Sequence, residues 1–258
     1  MSDRLLPFEA IENFRDFGGY VTPSGTLRRG VLYRSGQLSR ATDADLDRLK
    51  TLGLGHVVDL RRSSERVKQP DRMPHDWAGQ MLSTDLGGDG EAPHIRFLKT
   101  QALTEDSGRH YMGATYERMP FEPAHVALFK NYFDALATGE GAVLIHCAAG
   151  KDRTGLLAAL THNLLGVNDD DVMADYLATN VAVNLEGRAE ELGRALAKWT
   201  GKDVSHGAVV AFLGVEADFL HRARTAMAEQ HGSVETYIQD VLGVDAAKRD
   251  AIIQRLSQ

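Results

Sequence analysis

The sequence predicts an α/β fold: a single domain over residues 1–258 with a mostly parallel central sheet, flanking helices and a helix-rich C-terminal half. Three observations predict it. Short β-forming runs alternate with helix starts in the first half, Ala142-Val143-Leu144-Ile145 is apolar throughout, and the last proline is Pro123. Strand, helix and strand in succession call for a parallel sheet with crossover helices. An uninterrupted apolar run marks a strand buried on both faces. A stretch without proline can be helical nearly throughout.

Each element has its own signal. Val31 to Ser35 and His56 to Leu60 are short runs rich in β-formers. Between them, Thr42-Asp43-Ala44-Asp45 opens a helix before Leu46 and Leu49, and Gly53 closes it. The segment from Gly87 to Pro120 is weakly patterned and holds Gly87, Gly88 and Gly90, which predicts mobile loop and short helix. From Phe121 onward the period becomes helical, with Phe129, Tyr132, Phe133 and Leu136 on one face. Leu156, Leu157, Leu160 and Leu164 form the next stripe, ended by Gly166. Asn168 or Asp169 caps a further helix through Tyr176. Asp169 to Asp171 are read as helix-start acids rather than a metal site. Leu185, Leu192, Leu196 and Trp199 then mark an amphipathic helix.

Composition narrows the function. At 43% hydrophobic and 25% charged over 258 residues, the chain can bury a core without disulfides or metals. Its one cysteine allows no intrachain disulfide and fits a reducing, cytoplasmic setting. The start, MSDRLLPFEAIENF, lacks the apolar stretch of a signal peptide, and no apolar run is long enough for stable membrane insertion. The net charge of −7 argues against a nucleic-acid partner. An anionic ligand would need a local positive site built against the protein's own field.

Such a site is written in His146-Cys147-Ala148-Ala149-Gly150-Lys151-Asp152-Arg153-Thr154-Gly155, between the buried strand and the leucine helix. A helix N-terminus offers unpaired N–H groups and the positive dipole end. Ala148, Ala149 and Gly150 are small enough for the backbone to curl into an anion nest. Lys151, Asp152 and Arg153 continue that phosphate-binding run, and the Arg153 fork matches two phosphate oxygens. Cys147 at the mouth is the candidate nucleophile, because the cations that hold phosphate also favour the thiolate. His146 reads as an orienting residue and Thr154 as a donor to the sulfur. A cysteine ending a buried strand is ordinarily a small core hydrophobe. Here the lone cysteine, the core strand, the helix start and the Arg-Thr-Gly sequence converge on catalysis instead.

These residues resemble the phosphate loop of the protein tyrosine phosphatase superfamily: His-Cys, five residues, Arg, then Ser or Thr. The loop is similar to that of bacterial atypical tyrosine and dual-specificity phosphatases, His-Cys-x-x-Gly-Lys-Asp-Arg-Thr-Gly. Further matches run in order: Asn13-Phe14-Arg15-Asp16 with Gly18-Gly19, Leu32-Tyr33-Arg34-Ser35-Gly36, and Asp59-Leu60-Arg61 with Glu65. Asp175-Tyr176-Leu177 with Thr179-Asn180, and Gly232-Ser233-Val234-Glu235 with Tyr237, complete them. The resemblance implies a tyrosine-phosphatase-like fold, a phosphocysteine intermediate, and neither metal nor cofactor. It implies a phosphorylated protein as substrate, phosphotyrosine and also phosphoserine or phosphothreonine, with a phosphoinositide as the alternative. Lys151 suits that alternative, as a second cation for an inositol phosphate. The resemblance also implies a helical lid, placed here at 183–205, and leaves export without a signal peptide open. Arg15, Asp16, Arg34 and Asp59 are read as a buried ion-pair network bracing the sheet, with Asp175 and Asn180 as further braces.

A tyrosine oxygen leaves poorly without a proton. The Trp-Pro-Asp sequence that supplies it in many tyrosine phosphatases is missing, and His75-Asp76-Trp77 has the wrong order. Two candidate acids stand out. Asp152 lies within the loop, and a bound phosphate dianion would favour its protonated form. Asp85 follows a strand-like run beside Gly87, and Asp89 comes third. Other classes fit less well. A binding module without turnover would not need both Cys147 and Arg153, and an arsenate reductase would need further cysteines.

Overall fold

The computed structural model describes residues 4–87 and 90–258, so Asp89 and Gly88 lie outside the described residues. In chain order the strands are β1 (Arg15–Asp16), β2 (Val21–Thr22), β3 (Gly25–Thr26), β4 (Leu32–Ser35), β5 (Leu54–Asp59), β6 (Gln80–Leu82) and β7 (Ala142–His146). Five of them form the central sheet in the order β1-β4-β7-β5-β6. The β4–β7, β7–β5 and β5–β6 pairs are parallel, while β1 runs antiparallel on the edge. The small β2–β3 hairpin stands apart.

The central strand explains the layering. Successive side chains of a strand face opposite sides. Along β7, Val143 and Ile145 enter one core cluster with Leu32 and Val58, while Ala142 and Leu144 enter another with Phe14, Leu38 and Leu49. All five β7 residues are buried. Each fully buried aliphatic side chain contributes on the order of 2 kcal/mol, so the apolar run anchors both layers.

The helices are α1 (Asp43–Lys50), α2 (Ser63–Lys68), α3 (Pro93–Thr100), α4 (Glu105–Arg118), α5 (Pro123–Thr138), α6 (Asp152–Leu165), α7 (Asp169–Ala182) and α8 (Leu185–Thr200). After them come α9 (His206–Leu213), α10 (Ala217–His231), the short α11 (Val234–Thr236) and α12 (Ala246–Leu256). Thr42 caps α1 with Asp45 bonding back, and Gly166 ends α6 in the left-handed conformation. Asn168 caps α7 by accepting from the Asp171 N–H. Among the described residues, no helix is long and apolar enough to cross a membrane.

The segment expected as mobile loop and short helix contains instead two real helices, and α4 runs for 14 residues. Its buried face is Gly108, Met112, Gly113 and Tyr116. Glycines let neighbouring helices approach closely but carry no hydropathy signal, so the four-residue spacing shows no stripe.

Candidate active site

The three central parallel strands end together: Ser35 and Asp59 both stand opposite His146. Cys147 therefore leaves the sheet at its carboxyl end, where open α/β sheets place ligands. The chain then turns into α6, whose first residue is Asp152. Gly150 makes the turn possible. Its φ is +66°, and a Cβ there would lie 2.3 Å from the Ser35 carbonyl oxygen.

The loop's carbonyls are held from behind. The Gln37 N–H donates to Ala148 O at 3.1 Å. Asn13 Nδ2 donates to Ala149 O and Gly150 O, and Arg34 Nη2 also reaches Gly150 O. In a planar trans peptide the following N–H points opposite its C=O. Tying the carbonyls outward therefore turns the N–H groups of Ala149, Gly150 and Lys151 toward the ligand side, an anion nest at a helix start.

Arg15 bonds the Asn13 amide and the Thr179 hydroxyl, and Arg34 pairs with Asp175 at 2.7 Å. Arg15, Arg34 and Asp175 are all buried. Burial would raise the Asp175 carboxyl, yet Arg15 and Arg34 hold it at about 2. Burial first, then Arg34, lowers Arg15 to about 9. Asp16 accepts from the Gly18 and Gly30 N–H groups. Arg15, Arg34 and Asp16 brace backbone, Asp175 holds the two arginines, and none of the four lines the cavity.

Cys147 is 3% exposed. Burial would push its thiol up, but Arg153 and then Thr154 outweigh that, and the thiol lies below its ordinary value. The buried Thr154 hydroxyl makes no hydrogen bond among the described residues, and its place next to the loop adds to the lowering of the thiol. Arg153 donates from Nη1 to Glu65 Oε2 at 2.7 Å and to Leu60 O, and from Nη2 to Glu65 Oε1. Burial would raise the Glu65 carboxyl, but Arg153 holds it at about 2. The spacing of 88 residues between these partners gives no sequence signal.

Behind the cysteine, His146 Nε2 lies 3.2 Å from Asp71 Oδ2, and Arg61 Nη2 lies 2.7 Å from both Asp59 and Asp71. Burial would lower the His146 pKa, but Asp59 and Asp71 raise it. Asp59, Asp71 and His146 bring ligand-type atoms within 4.8 Å of one another, yet the Arg61 guanidinium already supplies the positive charge between the carboxylates. Arg61 and the His146 ring together face the two carboxylates and brace the end of β7.

A cavity of about 260 Å³ opens over the loop, lined by Cys147, Ala148, Ala149, Lys151, Asp152 and Arg153. Tyr111, Met119, Phe212 and the cations Arg62 and Arg118 complete its walls. The two candidate acids separate sharply. Asp152 lines the cavity and accepts at Oδ1 from the Tyr116 hydroxyl at 3.0 Å. Asp85 is 85% exposed, pairs with Arg66 and is not part of the cavity lining. Lys151 is also placed otherwise than expected for a free second cation. Its buried Nζ donates to Phe212 O and Gly214 O, at 3.1 and 3.0 Å, and lies 3.4 Å from Asp152 Oδ1.

The expected lid at 183–205 does not line the cavity; the wall on that side comes from Phe212 and Leu213 of α9. The α8 helix packs on α9, with Gly193 against Val209. Asn180 grips the Val215 N–H and carbonyl just past α9. Tyr116, Phe212 and Leu213 were invisible in the sequence because their importance rests on helix packing rather than on a motif.

Residues 6–258 match the model of a family described as the tyrosine phosphatase family. The chain is 35% identical over 251 residues to a Cupriavidus necator protein named as a tyrosine-protein phosphatase, covering 94% of this chain and 86% of that one. It is 32% identical over 274 residues to a triple specificity protein phosphatase of Mycobacterium tuberculosis, covering 93% and 94%. Among solved structures, a human tyrosine phosphatase-like serine/threonine/tyrosine-interacting protein aligns at 15% identity with a TM-score of 0.38, covering 77% of this chain and 92% of that one.

Proposed function

This chain belongs to the tyrosine phosphatase family, and we propose that it hydrolyses phosphotyrosine, and phosphoserine or phosphothreonine as well, on protein substrates through a Cys147 phosphoenzyme. The observation that carries this is the cavity at the start of α6 that Cys147 and Arg153 line together, where the arginine charge also lowers the thiol. The name of the M. tuberculosis relative supports a breadth beyond phosphotyrosine.

In the first step the Cys147 thiolate attacks phosphorus, the S–P bond forms and the bond to the substrate oxygen breaks. That oxygen takes a proton from Asp152. The Arg153 fork and the loop N–H groups meet the charge spread over the equatorial oxygens. In the second step water attacks phosphorus and gives a proton to the Asp152 carboxylate. The S–P bond breaks, and phosphate and thiolate are released. The place of Asp152 in the cavity wall supports it over Asp85.

The commitment of Lys151 to two carbonyls favours the phosphoprotein reading over the phosphoinositide one, which needs that cation free. A panel of phosphopeptides and phosphoinositides, compared by kcat/KM for wild type and Cys147→Ser, tests the proposal. Wild type should turn over phosphopeptides and form a phosphoenzyme detectable by mass after acid quench. The serine variant should bind the same peptides with no phosphoenzyme and activity reduced by at least about 10⁴-fold, because serine is not ionised near neutral pH. Serine-variant activity within tenfold of wild type would sink the covalent reading.

A further inference from the structure

Three helices, α4, α6 and α7, bring two hydroxyls and a carboxylate into one hydrogen-bonded series. Tyr176 of α7 donates from its hydroxyl to the Tyr116 oxygen at 2.7 Å. Tyr116 of α4 donates in turn to Asp152 Oδ1 at 3.0 Å. Tyr116 and Tyr176 are 0% and 1% exposed, and their rings meet edge to face at 6.2 Å between centroids. A third ring, Phe219, lies 5.6 Å from Tyr116. The Tyr176 ring also covers Gly155, where an added Cβ would approach it to 3.1 Å. Neither hydroxyl can turn toward water. The direction of donation is set from the inside outward, ending on the carboxylate.

We propose that Tyr116, oriented by Tyr176, is a positioning residue that keeps Asp152 Oδ1 occupied as an acceptor, so that Oδ2 carries the proton exchanged with the leaving oxygen and with water. The proposal rests on the assignment of Asp152 as the general acid. Among the described residues, the polar contacts of this carboxylate, the Tyr116 hydroxyl and the Lys151 ammonium, fall on Oδ1. A carboxyl proton on Oδ1 would face two donors, whereas on Oδ2 it meets none of them. Burial, then the Asp152 charge, pushes both tyrosine hydroxyls far above their ordinary range, so they remain donors throughout the working pH range.

The chemistry balances on Oδ2 alone. In the first step the O–H bond on Oδ2 breaks as the substrate P–O bond breaks, and the proton goes to the departing oxygen. In the second step water loses a proton to Oδ2 as its oxygen bonds to phosphorus and the S–P bond breaks. Tyr116 keeps its own proton in both steps.

The test is Tyr116→Phe, which removes one oxygen and leaves the ring packing in place. Three substrates are compared: a phosphotyrosine peptide, a phosphoserine peptide and an aryl phosphate with an acidic phenol. A general acid matters in proportion to the leaving group's need for a proton. For Tyr116→Phe we expect kcat to fall roughly tenfold on phosphotyrosine and further on phosphoserine, with a change of about twofold or less on the acidic phenol and KM little changed. Tyr176→Phe should show the same graded order at about two- to threefold, and serves if the first variant unfolds. In an Asp152→Asn background, Tyr116→Phe should add no further graded loss. An equal loss on all three substrates, or graded loss that persists in the double variant, overturns the role of Tyr116. If Asp152→Asn alone shows no graded loss, the acid assignment itself falls; graded loss there with a flat Tyr116→Phe overturns only the present proposal.

Discussion

Arg153 and Glu65 face each other through two parallel hydrogen bonds, 2.7 and 3.0 Å long, so the guanidinium plane is fixed before any ligand arrives. A planar fork held this way presents its other edge to phosphate without first losing rotational freedom. Arg153→Lys keeps the charge but cannot reproduce two parallel bonds. We expect kcat on phosphotyrosine to fall by about 10²-fold or more, alongside weaker binding. Steady-state kinetics check this, and a rise in KM with kcat intact would reduce Arg153 to a binding residue.

Glu65 couples that same pair to pH. Its carboxyl sits at about 2 in the fold against an ordinary 4.5. A depressed carboxyl contributes stability that is complete above the unfolded value and is lost as pH falls through the folded one. The stability gap between wild type and Glu65→Gln should be on the order of 2–3 kcal/mol at neutral pH. It should narrow as pH drops from 4.5 toward about 2. Urea unfolding of both proteins at neutral pH and at about pH 3.5 measures the narrowing.

The Cys147 thiol offers a direct electrostatic readout. Arg153 is the strongest influence lowering it, ahead of Thr154. Removing the charge in Arg153→Ala should move the pH midpoint of iodoacetamide alkylation upward, and Thr154→Val should move it upward by less. The rate of alkylation against pH, followed by intact mass, decides the order. Equal midpoints in wild type and Arg153→Ala would dissociate the cation from the nucleophile.

Asp85→Asn should leave kcat/KM within about twofold of wild type on every leaving group, because the side chain is exposed and paired with Arg66 outside the cavity. A steep leaving-group dependence in this variant would transfer the acid role from Asp152 to Asp85.

Removing 183–205 should strip α8 from α9 yet leave Phe212 and Leu213 in the cavity wall. We expect cooperative unfolding to persist, with faster alkylation of Cys147 as α9 loosens. Loss of cooperative unfolding would make α8 an integral part of the core rather than a cover.

Much of this architecture could be read from residue order. Ala142 to Ile145 announced the central strand because a strand buried on both faces has no polar alternation to hide it. Thr42, Gly166 and Asn168 announced helix boundaries because capping is local chemistry. The helix carrying Tyr116 was missed for the converse reason: its buried face is built on Gly108 and Gly113, whose value lies in what approaches them. Lys151 was misjudged because a lysine's partners are set by its long side chain's reach. The Phe212 and Gly214 carbonyls lie 61 and 63 residues away. Local rules identify the loop, while the partners of its side chains come from tertiary packing.

The bracing of Gly150 also bears on when, during synthesis, the protein becomes competent. Its carbonyl is held by Asn13 and Arg34 from near the N-terminus, and those side chains depend directly or through Arg15 on Asp175 and Thr179. A chain still emerging from the ribosome can carry Cys147 and Arg153 outside the tunnel while α7 is not yet available. In that interval Arg15 and Arg34 repel each other without their shared counter-charge, and the loop lacks its scaffold. Closure of contacts so far apart in sequence comes late in folding. The loop that lowers the Cys147 thiol is thus complete only after most of the domain has been made.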